Sequence, residues 1–436
     1  MVDRPRPGTF DGRAGSAHPG ADHPEWWSLH VAMPGAGSSL SPFLPEGAPA
    51  LGQLGWFALL LVIAAALGEL ARVCKLPRIL GYVVAGIALG PHGSGLMSSA
   101  TVSELRVMVD VALGLVLFEL GHWLDLLWLR RNRWLIVSSL LEAGLTFVLV
   151  YGALRLAGVA GIYATGAAAI AIATSPAVIV QMTRELRAQG QVTERLKMLT
   201  ALNCAYAVIG ITIWLSWLHM VYRGAATTAI LQPLYLVVGS IALPLVAAVL
   251  AGVFPRWLRG HPNTELLLLL GLVLLLIAST RALGLSPLLA LLSFGLLARH
   301  WVSWLRVLPN HFTTISSITA VVLFALIGAS VDFGSLRRAA LAAVALIVAQ
   351  SLAKWVAMVV TAAPSGIPRF KGSLLGVALM PMSGLAMVLV QDVSGIYADF
   401  PANLLVIVMA AVSLLDLIGP VVTRIALMRA RETRPE

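Results

Sequence analysis

The sequence predicts an all-α polytopic membrane protein. It would have about 13 transmembrane helices, built as a six-plus-six inverted-topology repeat with two discontinuous crossing helices. Three observations predict this. The 436 residues are 59% apolar and only 11% charged, whereas a soluble domain is about 25% charged. Apolar runs near the roughly 20 residues that cross a hydrocarbon core recur along most of the chain. The two halves also share a frame of polar and apolar positions at a fixed offset.

The elements follow in order. Residues 1–50 are rich in Pro, Gly and His and lack the apolar stretch of a signal peptide, so they read as a disordered extracytoplasmic tail. His18, His23 and His30 fit no tight metal-binding spacing, and Trp26 and Trp27 suit a membrane interface. The spans read as 53–73, 77–91, 107–128, 134–154, 161–183, 196–221, 231–254, 264–280, 285–299, 314–332, 338–362, 372–391 and 402–427. Several are short or carry Pro and Gly, which suits helices held inside a bundle rather than against lipid.

The basic residues test this order. With the N-terminus outside, segments facing the cytoplasm hold 20 of the 30 Lys and Arg, and the outer loops hold 6. That bias fits an odd number of helices in a cell inner (plasma) membrane, with the C-terminus cytoplasmic. The net charge of +10 does not point to nucleic acid, because the basic residues are spread over short loops without an aromatic-interleaved patch. Cys74 and Cys204 form no disulfide framework or metal pattern. No span holds a nucleophile, base and orienter at usable spacing, so neither an enzyme nor a cofactor is expected.

The repeat carries the functional reading. "VLFELGHWLDLLWLRR" (116–131) lines up with "VLFALIGASVDFGSLRR" (322–338), and "LPRILGYVVAGIALG" (76–90) loosely with "LSPLLALLSFGLLAR" (285–299), at roughly 206–209 residues. Repeat one covers 53–221, a linker helix 231–254, and repeat two 264–427, so the second half enters the membrane from the opposite side. Inverted repeats are a signature of secondary transporters, whose site lies where interrupted helices of the two halves meet. The interrupted candidates are "AIATSPAVIV" (171–180) and "LMPMSGLAMV" (379–388). Thr174, Ser175 and Ser383 bring hydroxyls, while Pro176 and Pro381 free backbone groups. Gly86 and Gly90 form a small-residue packing face.

At these residues the chain resembles the monovalent cation/proton antiporter superfamily, in the branch of bacterial sodium/proton and potassium efflux antiporters. The resemblance covers roughly residues 55–428 and is most specific from Ala173 to Leu196 in "ATSPAVIVQMTRELRAQGQVTERL". It makes 51–428 an antiporter-like transmembrane domain followed by a short cytoplasmic tail, 429–436. It implies exchange of Na⁺ or K⁺ for protons by alternating access, through a core domain sliding on a scaffold that often forms a homodimer. Membrane lipid, monovalent cations and protons are then the partners.

The resemblance also places the family's Asn-Asp or Asp-Asp pair on Asn203 and Cys204, within "RLKMLTALNCAYAVIGITIWLSWL". A thiol replaces the expected carboxylate, and thiols are poor ligands for Na⁺ and K⁺. The family's Arg-Gly-Glu reads Met382-Ser383-Gly384, and its "GLELD" reads "GHWLD" with Trp123 in place of Glu.

Charges buried in a span are costly and usually functional. Glu119 lies one turn before Trp123, where the missing carboxylate could have moved. Glu142 lies in span 134–154 and Lys354 in its repeat mate. Lys354 matches a family lysine and either carries the proton itself or forms a structural ion pair with Glu142. Asp416, in the repeat mate of 196–221, is a further candidate. Asp125 and Asp332 sit beside arginines that they would pair with, and Tyr206 either reaches the site or packs beside it. Three readings stay open: a cation/proton antiporter with a rebuilt site, a carrier of an anionic or zwitterionic solute, or a transport-inactive membrane sensor.

Overall fold

The computed structural model describes residues 53–223, 226–254, 262–305, 308, 311–382, 384–396 and 402–433. The expected tail over 1–50, with its histidines and tryptophans, lies outside the described residues, as does Ser383. The first half comprises α1 (Gln53–Val73), α2 (Arg78–Leu89), α3 (Ser99–Glu104), α4 (Arg106–Trp123), α5 (Leu126–Arg131), α6 (Arg133–Leu156), α7 (Gly161–Ala171), α8 (Pro176–Glu185) and α9 (Gln191–Arg223). It is followed by α10 (Ala226–Val253), α11 (Pro262–Ala282), α12 (Pro287–Trp301), α13 (Phe312–Ala329), α14 (Phe333–Arg338) and α15 (Ala340–Ala362). The chain continues through α16 (Arg369–Ala378), α17 (Gly384–Ile396) and α18 (Ala402–Arg429). The described residues contain no strand, and nine segments among them are apolar and long enough to cross a membrane.

Local chemistry explains the starts and stops. Ser175 and Ser286 each precede a proline at the first helical position, and each hydroxyl accepts from an amide three residues on. Serine satisfies an orphan N–H there, and proline needs no partner for the one it lacks. The span expected over 107–128 is corrected: α4 stops at Trp123, and Asp125 caps α5 by accepting from Trp128 N at 2.9 Å. The arginine facing Asp125 is Arg299, 3.5 Å away at the end of α12, rather than a neighbour in sequence. Asp332 does meet Arg338, at 3.8 Å.

Helices α1, α2, α4, α11, α12 and α13 pack chiefly among themselves, as do α6–α9 with α15–α18, while α10 bridges α12 and α9. Glycines set the closest crossings. A Cβ on Gly86 of α2 would strike the Ala325 carbonyl of α13, and one on Gly328 would strike that of Val83. The same exchange joins α4 and α12: Gly121 faces the Leu292 carbonyl and Gly295 that of Phe118. The two crossings are related by the roughly 206–209-residue offset of the sequence comparison. Where lipid gives no hydrophobic drive, such backbone contact supplies the attraction.

Gly295→Ala is therefore expected to lower stability by about 1–3 kcal/mol through overpacking. Gly144→Ala, with open space around it, should raise stability by up to about 1 kcal/mol through helix propensity. Thermal unfolding in detergent reads both, and equal shifts would show that the crossing is not tight.

Candidate functional site

Both expected interruptions occur. Between α7 and α8 the chain leaves the helix near Thr174, and between α16 and α17 it does so around Pro381. The two breaks touch directly: Ser175 N donates to Pro381 O at 2.8 Å, and Thr174 Oγ1 donates to Leu379 O at 3.2 Å.

Lys354 of α15 enters this crossing with no exposed surface. Its Nζ lies 2.8 Å from Thr174 Oγ1, 3.2 Å from Ala173 O and Leu379 O, and 3.3 Å from Ile172 O. These carbonyls lie at the C-terminal ends of α7 and α16, which carry partial negative charge. The ammonium thus occupies the spot where two half-helices concentrate acceptors. Glu142 of α6, equally buried, brings Oε1 to 3.7 Å from Nζ.

Asn203 and Cys204 complete the cluster from α9. Asn203 Nδ2 donates to Thr174 Oγ1 at 3.1 Å, and the Cys204 thiol donates to Thr174 O at 3.4 Å. The structure therefore brings Thr174, Asn203, Cys204, Glu142 and Lys354 together, beside Ser175, Pro176 and Pro381. Tyr206 packs alongside, 3.0 Å from Ser139, one turn before Glu142.

Several acceptors in the cluster are left over. Among the described residues neither Glu142 oxygen, nor Asn203 Oδ1, Thr146 Oγ1 or Gln350 Oε1, meets hydrogen-bond geometry with a partner, and all are buried. Buried polar atoms are normally satisfied, so these oxygens keep spare accepting capacity. Thr146 and Gln350 escaped the sequence reading. Each lies one turn from a buried charge, and i±4 neighbours share a helix face, so that spacing was the available signal.

Glu119 joins a different contact. It pairs with Arg184 of α8 and accepts from Ser316 of α13 at 3.0 Å. Arg184 also reaches Ser317 Oγ at 3.1 Å. This polar bolt ties α4 and α13 to α8, beside a cavity of about 550 Å³ that includes Arg187, Lys197 and Thr313. A second cavity, of about 650 Å³, opens near the other end of α4, where Asp110 pairs with Arg281. Among the described residues no cluster of His, Cys, Asp and Glu could hold a metal ion.

Beyond the spans, Glu432 clasps the start of α9. Its carboxylate accepts from Val192 N at 3.0 Å, Thr193 N at 2.8 Å and Lys371 Nζ at 3.2 Å. Burial pushes its pKa up, but these donors outweigh burial and hold it below the ordinary value. A depressed carboxylate stabilises the fold above its unfolded value near 4.5 and loses that contribution as pH falls through the folded value. Glu432→Gln should thus lower stability by about 1–2 kcal/mol at neutral pH and flatten the acid limb of the unfolding profile. A wild-type acid limb in the variant would contradict this.

Two interrupted helices crossing around a buried charged cluster, with cavities on either side, define the architecture of a secondary transporter. The chain belongs to the sodium/hydrogen exchanger family, whose transmembrane model matches residues 58–429. Its fold is similar to that of the sodium proton antiporter MjNhaP1 from Methanocaldococcus jannaschii at pH 8. That match has a TM-score of 0.69 at 15% identity and covers 86% of this chain and 98% of the other. An electron-microscopy structure of the same antiporter matches with a TM-score of 0.66 at 16% identity, covering 88% and 99%. Among curated proteins none matches the chain by sequence.

Proposed function

We propose that the protein exchanges Na⁺ or K⁺ for protons by alternating access, with Glu142 standing in for the missing aspartate and Lys354 as a tethered cation that competes with the cargo. The observation that carries this reading is the 3.7 Å Glu142–Lys354 pair, with buried oxygens on the same helices and on Asn203 that have no hydrogen-bond partner among the described residues. A hard monovalent cation prefers carboxylate, amide, hydroxyl and carbonyl oxygens. Glu142, Asn203 Oδ1, Thr146 Oγ1 and Gln350 Oε1 supply three of these kinds, and the carbonyls now facing Lys354 supply the fourth.

The exchange balances. A cation entering against Glu142 displaces the ammonium, Lys354 releases one proton, and the net charge of the site is unchanged. On the opposite side a proton returns to Lys354 and the cation leaves. Ser383 is expected to add a hydroxyl from the second break. In the same reading the protein is a plasma-membrane homodimer with its N-terminus outside and its C-terminus cytoplasmic. An anion carrier is less well supported, because Lys354 is already directed at Glu142 and four oxygen acceptors.

Proton flux in proteoliposomes tests the proposal. A pH gradient is imposed, then Na⁺, Li⁺, K⁺ or Rb⁺ is added. Wild type should dissipate the gradient on addition of one of these cations, and Glu142→Gln should not. Silence of the wild type in every gradient would sink the antiporter reading and leave the sensor. Full activity of Glu142→Gln would remove Glu142 from the site.

A further inference from the structure

We infer that Asp416 is a second proton-binding group, separate from the Glu142–Lys354 pair and set against the break between α16 and α17. Its side chain is fully buried, and among the described residues neither oxygen has a hydrogen-bond partner. Asp416, Gly419 and Thr423 fall at i, i+3 and i+7 of α18 and share one face. Gly419 is seated against the Pro381 ring, and Thr423 Oγ1 donates to Ala378 O at 3.4 Å. That face therefore lies on the second break, with Asp416 one turn beyond the Pro381 contact.

Charges on the described, packed elements are exposed or engaged elsewhere: Arg337 of α14 and Arg369 of α16 are exposed, and Glu185 of α8 accepts from Arg78 N. On the elements packed against α18, Lys354 faces Glu142, Lys371 faces Glu432, Arg184 faces Glu119, Arg338 faces Asp332 and Arg78 faces Glu69. An ionised carboxylate with neither a donor nor a counter-charge is not tolerated in an apolar interior. Asp416 therefore carries a proton in this conformation.

The side chain also makes no bond that would account for it as a structural element, and leucine or asparagine would fill the space without a titratable group. Its position against a helix break gives it a use. Where water reaches the group the carboxyl O–H bond ionises and the proton passes to that water, and the carboxylate takes a proton back from water before it is buried again. The group thus loads and unloads one proton independently of Lys354.

This deepens the antiporter reading but is tested without transport. Infrared difference spectroscopy of the purified protein, titrated from acid to alkaline pH, reads the C=O stretch of protonated carboxyl groups. Labelling aspartate with ¹³C at the side-chain carboxyl isolates its share in the unmutated protein, and Asp416 is the one fully buried aspartate among the described residues. The expected result is a ¹³C-sensitive band at neutral pH that fades at alkaline pH, persists in Glu142→Gln and is lost in Asp416→Asn. No such band, or one unchanged across the titration, would overturn the inference. Should wild type show no cation-driven flux, the proposed function fails while this result stands by itself.

Discussion

Lys354→Ala is expected to lower stability by about 3–5 kcal/mol, because it leaves Glu142 as an unpaired charge in the interior. It also strips the cation from the converging ends of α7 and α16. Cation-driven proton movement should disappear. The companion variant Glu142→Gln/Lys354→Met removes both charges, and replacing a buried pair by neutral groups of similar size is often nearly neutral. It should recover most of the lost stability without recovering flux. Thermal unfolding in detergent separates the two cases. If Lys354→Ala unfolds like wild type, the pair is not an energetic unit and the site has been misassigned.

The second large effect is expected for Cys204→Asp. The thiol now donates to Thr174 O at 3.4 Å, in the same cluster as the ammonium of Lys354. A carboxylate there would share Lys354 with Glu142 and give the empty site a net negative charge. Binding of radiolabelled Na⁺ should tighten at least tenfold, corresponding to about 1.4 kcal/mol, and the fold should lose stability when no cation is present. Both changes should reverse together on adding salt, as ligand linkage requires. Unchanged Na⁺ binding would show that position 204 does not face the cation.

The spanning helices were legible because apolar runs are a local signal. The breaks were legible for the same reason: Pro176 and Pro381 interrupt apolar segments whatever surrounds them. The end of α4 was not. "LFELGHWLDLLW" is apolar on both sides of Asp125, and only the cap to Trp128 shows where the helix stops. At the site, Glu142 and Lys354 stood out as buried charges in repeat mates, and an ion pair between them was one of the two readings of Lys354; the 3.7 Å approach itself depends on how α6 and α15 pack. Glu119 looked like a relocated site carboxylate because it shares a face with Trp123. Its contact with Arg184 depends on how the two bundles dock, which no periodicity encodes. Thr146 and Gln350 are ordinary residues in sequence and matter only because their oxygens are left without donors.

The Glu142–Lys354 pair also constrains mutational history. A lineage that began with an aspartate at position 204 and then lost it, before acquiring a glutamate at 142, would have passed through an ancestor with an unpaired buried lysine. Such an ancestor would be handicapped by about 3–5 kcal/mol, a large share of the 5–15 kcal/mol that typically holds a folded domain together. From such a start, the route without that handicap would gain the glutamate first, hold two acids against one lysine for a time, and only then give up the aspartate. Each partner of the present pair is thereafter trapped by the other, and neither can drift alone.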